Sequence, residues 1–180
     1  MALTNIKDLK IGFNDQFFFD TNIWILLFAT VADYQINDQK AYSKLLENLI
    51  TNDKPIYITS MVVSEFSNVL LRRDYNHWLK TNKVLENDFK KNYVGTRFYK
   101  DSALKIANTI SKILSLKIVT KTPDNFNSVN IDNILKNFQS IDFNDAFINE
   151  FVIEKKLKLV TNNKDFQKIN SDIDIITTKI

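Results

Sequence analysis

The sequence predicts an α/β protein in which a parallel sheet of four to five strands lies between two layers of helices. Three observations lead there. Short apolar runs such as "QFFFD", "PIYIT" and "LKLVT" alternate with longer stretches whose apolar residues recur at helical spacing. The short runs are apolar at consecutive positions, as strands covered on both faces are. With 180 residues, 44% hydrophobic and 25% charged, the chain is long enough for one domain to bury such a sheet.

The elements follow in order. Residues 16–20 read as a buried strand, followed by a helical run to about residue 32 and a helix at 40–50. "PIYIT", 55–59, is a second strand. "SMVVSEFSNVLLRRDYNHWLK", 60–80, is a long amphipathic helix with Ser60 as its N-cap and Val62, Phe66 and Val69 on its core face. Helices are expected at 84–91 and 97–116, a short strand at 117–119, a helix at 143–156, and strands at 157–161 and 173–177. Only Gly12, Gly95, Pro55 and Pro123 interrupt the pattern, so neither a flexible linker nor a Gly-rich phosphate loop is present.

Composition excludes several chemistries. Without cysteine there is no disulfide framework and no thiolate metal site, and the single histidine, His77, rules out sites built on two imidazoles. His77 has no motif around it and reads as structural. A bound metal would need oxygen ligands, which points to magnesium or manganese. The longest apolar run, 23–32, is too short to span a bilayer. The N-terminal stretch lacks a signal-peptide core, so a cytoplasmic protein with no membrane partner is expected. Net charge is +3, unevenly placed: 72–121 carry 12 Lys and Arg against 4 Asp and Glu, so +8, leaving −5 elsewhere. That asymmetry suggests a polyanion-facing surface beside an acidic one.

The acidic residues are the chemical signal. In open parallel sheets the ligand crevice lies at the C-terminal ends of the strands. Asp20 ends the first strand, with Asn22 two residues on. Glu65 sits one turn into the helix after the second strand. Asp142 and Asp145 open the helix before "LKLVT", three residues apart and so on one face. Thr161, Asn163 and Asp165 follow that strand. Each has a structural alternative: Asp20, Asp142 and Asp145 as helix caps or first-turn acids, Glu65 as a boundary residue, Asp165 as part of an Asn/Asp-rich turn. Together they fall on one rim, where unneutralised carboxylates repel one another. Two divalent ions would relieve that repulsion and suit phosphodiester hydrolysis.

"FFFDTNIWI", "ITSMVVSEFSNVL", "SIDFNDAFINEF" and "KLVTNNKDF" resemble, in order and spacing, the four acidic motifs of PIN-domain ribonucleases, VapC-type toxins among them, over about residues 16–166. The resemblance implies a PIN-like three-layer α/β/α fold over 1–180 and a metal-dependent endoribonuclease, the toxin of a type II toxin–antitoxin pair. It makes Asp20, Glu65, Asp142, Asp145 and Asp165 the catalytic acids and metal ligands for one or two Mg2+ or Mn2+ ions, with Asn22, Thr161 and Asn163 orienting the substrate. In the fourth motif, either Asn163 or Asp165 approaches the metal. The partners it implies are an RNA substrate, an antitoxin protein and a second copy of the chain.

A stretch at about 72–116, longer than in most toxin members, is expected to be a helical insert. It carries Arg72, Arg73, Lys80, Lys83, Lys90, Lys91, Arg97 and Lys100, interleaved with Tyr75, Trp78, Phe89, Tyr93, Phe98 and Tyr99. The cations suit RNA phosphates. The aromatics read either as stacking platforms for bases or as the core of a helical hairpin. Two rivals stand beside the nuclease. A haloacid-dehalogenase-type phosphatase would use Asp20 as nucleophile, but it typically wants an acid where Asn22 stands. A catalytically weak or inactive PIN-like module would bind RNA or a partner without cutting it.

Overall fold

Three consecutive phenylalanines, Phe17, Phe18 and Phe19, form the middle of the protein, and all are fully buried. Neighbouring side chains of a strand point to opposite faces. Accordingly Phe18 meets Phe151 with ring centroids 5.5 Å apart, while Phe19 meets Trp24 at 5.2 Å. Helices therefore cover this strand on both sides, which is why its sequence does not alternate.

The structure, a computed structural model, describes residues 2–30, 35–84, 88–169 and 171–179. Its elements are β1 (Ala2–Asn5), β2 (Phe17–Phe19), α1 (Thr21–Phe28), α2 (Ile36–Thr51), β3 (Ile56–Ile58), α3 (Ser60–Asn82), α4 (Phe89–Asn92), α5 (Arg97–Leu114), β4 (Val119–Lys121), α6 (Ile131–Asn137), α7 (Phe143–Lys155), β5 (Lys158–Val160), a 3-10 turn (Lys164–Gln167) and β6 (Asp174–Thr177). The strands form one parallel sheet in the order β1-β6-β5-β2-β3-β4. α1 packs on α2 and α3, and α3 on α5, while α6 and α7 pack together across the sheet. The result is the expected three-layer α/β/α arrangement.

Several expectations are corrected. The sheet has six strands among the described residues, not four to five. The additional one, β1, pairs Leu3 with Ile175 at the sheet edge and is half-exposed, so "ALTN" needs no apolar run. β4 lies two residues later than expected, because the Val119 N–H turns back to the Leu116 carbonyl and leaves 117–118 in a turn. α6 went unforeseen: it has seven residues and buries only Ile134, too little for a periodic pattern. The N-cap of α3 is Thr59, whose side chain accepts from the Val62 N–H, while Ser60 donates to Asp124 at 2.5 Å. The core stripe of α3 is Val62, Phe66 and Leu70, and Val69 is exposed. The expected helices around 32 and 84–91 fall partly outside the described residues.

Parallel topology fixes where a site can form. Helices linking parallel strands run back antiparallel to them, so the N-termini of α1, α3 and α7 gather at the rim marked by the C-terminal ends of β2, β3 and β5. At the opposite rim, Asp15 joins Lys158 at 2.8 Å and accepts from the Gly12 N–H. Burial alone would raise the Asp15 pKa, but these donors and the charges of Lys158 and Lys54 outweigh it and hold the carboxyl below its ordinary value.

Because the Phe18 side chain is sealed between the sheet and α7, Phe18→Ala is expected to cost about 3–5 kcal/mol. Urea unfolding followed by circular dichroism checks this.

Candidate active site

Asp20 occupies the N-cap position of α1, yet its side chain makes no capping hydrogen bond. The carboxylate turns towards the loop after β5. Its Oδ2 accepts from Thr161 Oγ1 at 2.7 Å and from Asn22 Nδ2 at 2.6 Å. Thr161 Oγ1 also accepts from the Asn163 N–H at 2.9 Å. The Asn163 side chain then reaches across to Asp145 Oδ2, with its Nδ2 at 2.6 Å. Thr161 is fully buried, and Asp20 and Asp145 are nearly so.

The other two acids close the set. Glu65, half-buried beside the core stripe of α3, accepts from Thr21 Oγ1 at 2.9 Å and from the Asn144 side chain. Asp142 caps α7 by accepting from the Asp145 N–H at 3.0 Å, so its capping role is real and leaves it exposed at the rim. A continuous run of hydrogen bonds and chain neighbours thus joins Glu65, Thr21, Asp20, Thr161, Asn163, Asp145 and Asn144, returning to Glu65. Sequence reasoning missed Thr21 and Asn144. The adjacency of Thr21 to Asp20 in "FDTN" was the one available signal.

Asp165 takes another course. It sits in the 3-10 turn and pairs with Lys168 at 2.5 Å, while its N–H donates to Asn163 Oδ1 at 2.9 Å. Of the two candidates for the fourth motif, Asn163 faces Asp145 and Asp165 faces Lys168.

Electrostatics mark the pocket. Burial, then the charges of Asp20 and Asp142, push Asp145 from an ordinary 3.8 to about 8. Burial also raises Asp20 to about 6, against the Thr161 hydrogen bond and with the help of Glu65. Glu65 is raised as well, by burial and then by Asp142, against the Thr21 hydrogen bond. The donors are all oxygen, the chemistry a hard divalent cation takes. Among the described residues, no three acidic or imidazole side chains are drawn tightly enough to form a ready ligand set. The carboxyls feel one another's charge without clasping one point.

On the α3–α5 side, Arg72, Arg73, Lys80, Lys83, Lys90, Lys91, Arg97 and Lys100 are all exposed. Arg72 lies 4.1 Å over the Phe89 ring, and the Arg73 Nη1 donates to the Thr30 carbonyl at 2.8 Å. The aromatics do not stand out as stacking platforms. Tyr75 packs on Trp78, Phe89 and Tyr93, and Tyr99 packs on Phe89 and Tyr93; of the six only Phe98 is exposed. His77 is an exposed residue of α3.

The PIN domain model matches residues 17–171. The chain belongs to the PIN-domain family. No curated protein sequence matches it. Among solved structures, the crystal structure of VapBC2 from Rickettsia felis bound to a DNA fragment from their promoter holds a similar chain, with 19% identity and a TM-score of 0.52. That likeness covers 89% of this chain and 97% of the other. PAE2754 from Pyrobaculum aerophilum has 12% identity and a TM-score of 0.46, over 90% of this chain and 83% of its own. At 19% identity, the first likeness is one of fold alone.

The raised carboxyls have a consequence for stability. Unfolded chains release the Asp145 proton near 3.8, whereas the folded PIN domain keeps it to about 8. Stability is therefore lost as pH climbs between those values. Asp145→Asn is expected to flatten that loss and to make the metal-free protein more stable than wild type at pH 8. The expected gain is on the order of 2 kcal/mol, discounted for solvent at the pocket mouth. Urea midpoints of both proteins at pH 5 and pH 8 check the sign.

Proposed function

We propose that this PIN domain is a divalent-metal-dependent endoribonuclease that hydrolyses RNA phosphodiester bonds, and that it is the toxin of a type II toxin–antitoxin pair. PIN domains are generally nucleases. The observation that carries the reading is the Asp20 side chain, which sits in a capping position, declines to cap, and instead takes hydrogen bonds from Thr161 and Asn22 within electrostatic reach of Glu65 and Asp145. Asp20, Glu65, Asp142 and Asp145 would hold Mg2+ or Mn2+, as one or two ions. Bound there, the metal would supply Lewis-acid activation of water and charge stabilisation for the leaving oxygen. Thr161 and Asn22 orient Asp20, and Asn163 orients Asp145 in the role of the fourth motif. Asp165, committed to Lys168, is left out of the ligand set.

RNA reaches the pocket along α3 to α5. Residues 72–116 act as an insert within one domain, 1–180, and present cations to phosphates. With five of the six aromatics packed against one another, binding rests on charge more than on base stacking. An antitoxin, a second copy of the chain and a cytoplasmic setting complete the proposal. Among the described residues no helix is long and apolar enough to cross a membrane.

A second reading, a PIN-like module that binds RNA or a partner without cutting, draws on the open spacing of the acids and on an amide, Asn163, in the fourth motif. Calorimetry separates the two: RNA binding with no Mg2+ or Mn2+ uptake favours the module.

Cleavage of a mixed RNA pool with Mn2+ tests the proposal. Asp20→Asn and Asp145→Asn are each expected to lower the rate by about 10²-fold or more, and equal rates in all three proteins would remove the nuclease reading. Replacing Lys80, Lys83 and Lys90 together by alanine is expected to weaken RNA binding. The slope of log affinity against log salt should fall by about 2 for single strands, as three phosphate contacts imply. Titrations at several salt concentrations read this, and an unchanged slope would place the RNA elsewhere.

A further inference from the structure

Asn162 lies between the two residues that touch the acids, Thr161 and Asn163, and its side chain turns away from the pocket. Its Oδ1 accepts from the Tyr42 hydroxyl and stands 2.9 Å from Thr178 Oγ1 and 3.3 Å from Thr177 Oγ1. Its Nδ2 donates to Asp38 Oδ2 at 3.3 Å. Its backbone N–H donates to Asn22 Oδ1 at 3.3 Å, and Asn22 is the residue whose amide holds Asp20.

The partners of Asn162 are themselves tied down. Tyr42, on α2, is fully buried, and its hydroxyl accepts from the Thr178 N–H at 3.1 Å. Asp38 stands 2.8 Å from Thr178 Oγ1 and pairs with Lys179 at 2.7 Å. One amide thus joins α2, the loop after β5 and the end of β6. A buried phenol and a half-buried amide cost free energy unless satisfied, and a satisfied network selects one arrangement. Past the Thr161 N–H, which donates to the Ile176 carbonyl of β6 at 3.1 Å, side chains hold the Asn162 and Asn163 N–H groups. Two rigid elements hold the loop at 161–163 from behind while its flanking residues meet the acids in front.

We infer that Asn162, fixed by Tyr42, Asp38 and Thr178, is a positioning residue that sets where Asn22, Thr161 and Asn163 stand against the acids, and so how tightly the pocket holds a divalent ion. This rests on the metal-dependent reading above. Partners that orient ligands in this way typically contribute about 10–100-fold to metal affinity.

The test compares wild type with Tyr42→Phe, Thr178→Val and Thr178→Ser. Tyr42→Phe keeps the ring and removes the hydroxyl. Thr178→Val removes a half-buried hydroxyl with little change of shape, so it serves if the first variant fails to fold. Thr178→Ser restores that hydroxyl. Mn2+ affinity by calorimetry, kcat and KM on an oligoribonucleotide, thermal unfolding, and amide hydrogen exchange of Asn162 and Asn163 in metal-free protein are measured for each. The first two variants are expected to bind Mn2+ about tenfold more weakly and to lose kcat with KM for RNA unchanged. Exchange at 162 and 163 should quicken, and Thr178→Ser should match wild type. A folded Thr178→Val with wild-type Mn2+ affinity and exchange overturns the inference. A wild type that takes up no Mn2+ instead overturns the metal reading, and unchanged exchange at 162 and 163 then overturns the positioning role as well.

Discussion

Carboxyl groups gathered at one rim of a parallel sheet repel one another, and the rest of this site is arranged around that repulsion. Asp15 and Asp20 make the comparison within one chain. Both lose water on folding, which by itself favours the protonated form. Asp15 meets Lys158 and the Gly12 N–H and is held below its ordinary pKa, whereas Asp20 meets Glu65 and Asp142 and rises to about 6. Depth and neighbours act together: Asp20 is buried and faces other acids, whereas Asp15 is only half-buried and faces a cation. A fold that needed only stability would have placed a cation at both rims.

Neutral donors stand where cations would otherwise stand. Thr21, Asn22, Thr161, Asn144 and Asn163 give the acids hydrogen bonds without cancelling their charge. Hydroxyls and amides fix direction while leaving the negative potential intact for a ligand that carries positive charge. Lysine in any of these places would tighten the folded state and fill the pocket with its own counter-ion. The 3-10 turn shows that the chain has this option: Asp165, a few residues beyond Asn163, is paired with Lys168.

What the sequence made legible follows from this physics. Strands covered on both faces announce themselves as consecutive apolar residues, so β2, β3 and β5 were readable, and with them the rim at their C-terminal ends. The half-exposed edge strand β1 and the short helix α6 bury too little to leave a pattern. Asp20, Glu65, Asp142 and Asp145 were legible because acids at strand ends and on a core face are chemically out of place. Two matters were not. Choosing between Asn163 and Asp165 depends on the turn after β5, where a residue or two decides which side chain faces Asp145. The network about Asn162 joins residues more than a hundred positions apart, through contacts that spacing does not reveal.

The α3–α5 arm follows the same division between structure and charge. Phe66, Leu70, Ile106 and Ile113 tie α3 and α5 into the main core, and the parts of these helices that run beyond it need a core of their own. Tyr75, Trp78, Phe89, Tyr93 and Tyr99 supply that core, with ring centroids 5.2 to 6.4 Å apart. Rings in that use are not offered to bases. The cations, all exposed, have no such duty, and Arg72 over the Phe89 ring shows how one can rest on the cluster while keeping its charge in water. Under the proposed ribonuclease reading, a scaffold of rings carrying a surface of charge would meet a phosphate backbone by its spacing more readily than by its sequence. Discrimination among RNAs would then fall to the acidic rim and to the shape of the strand led into it.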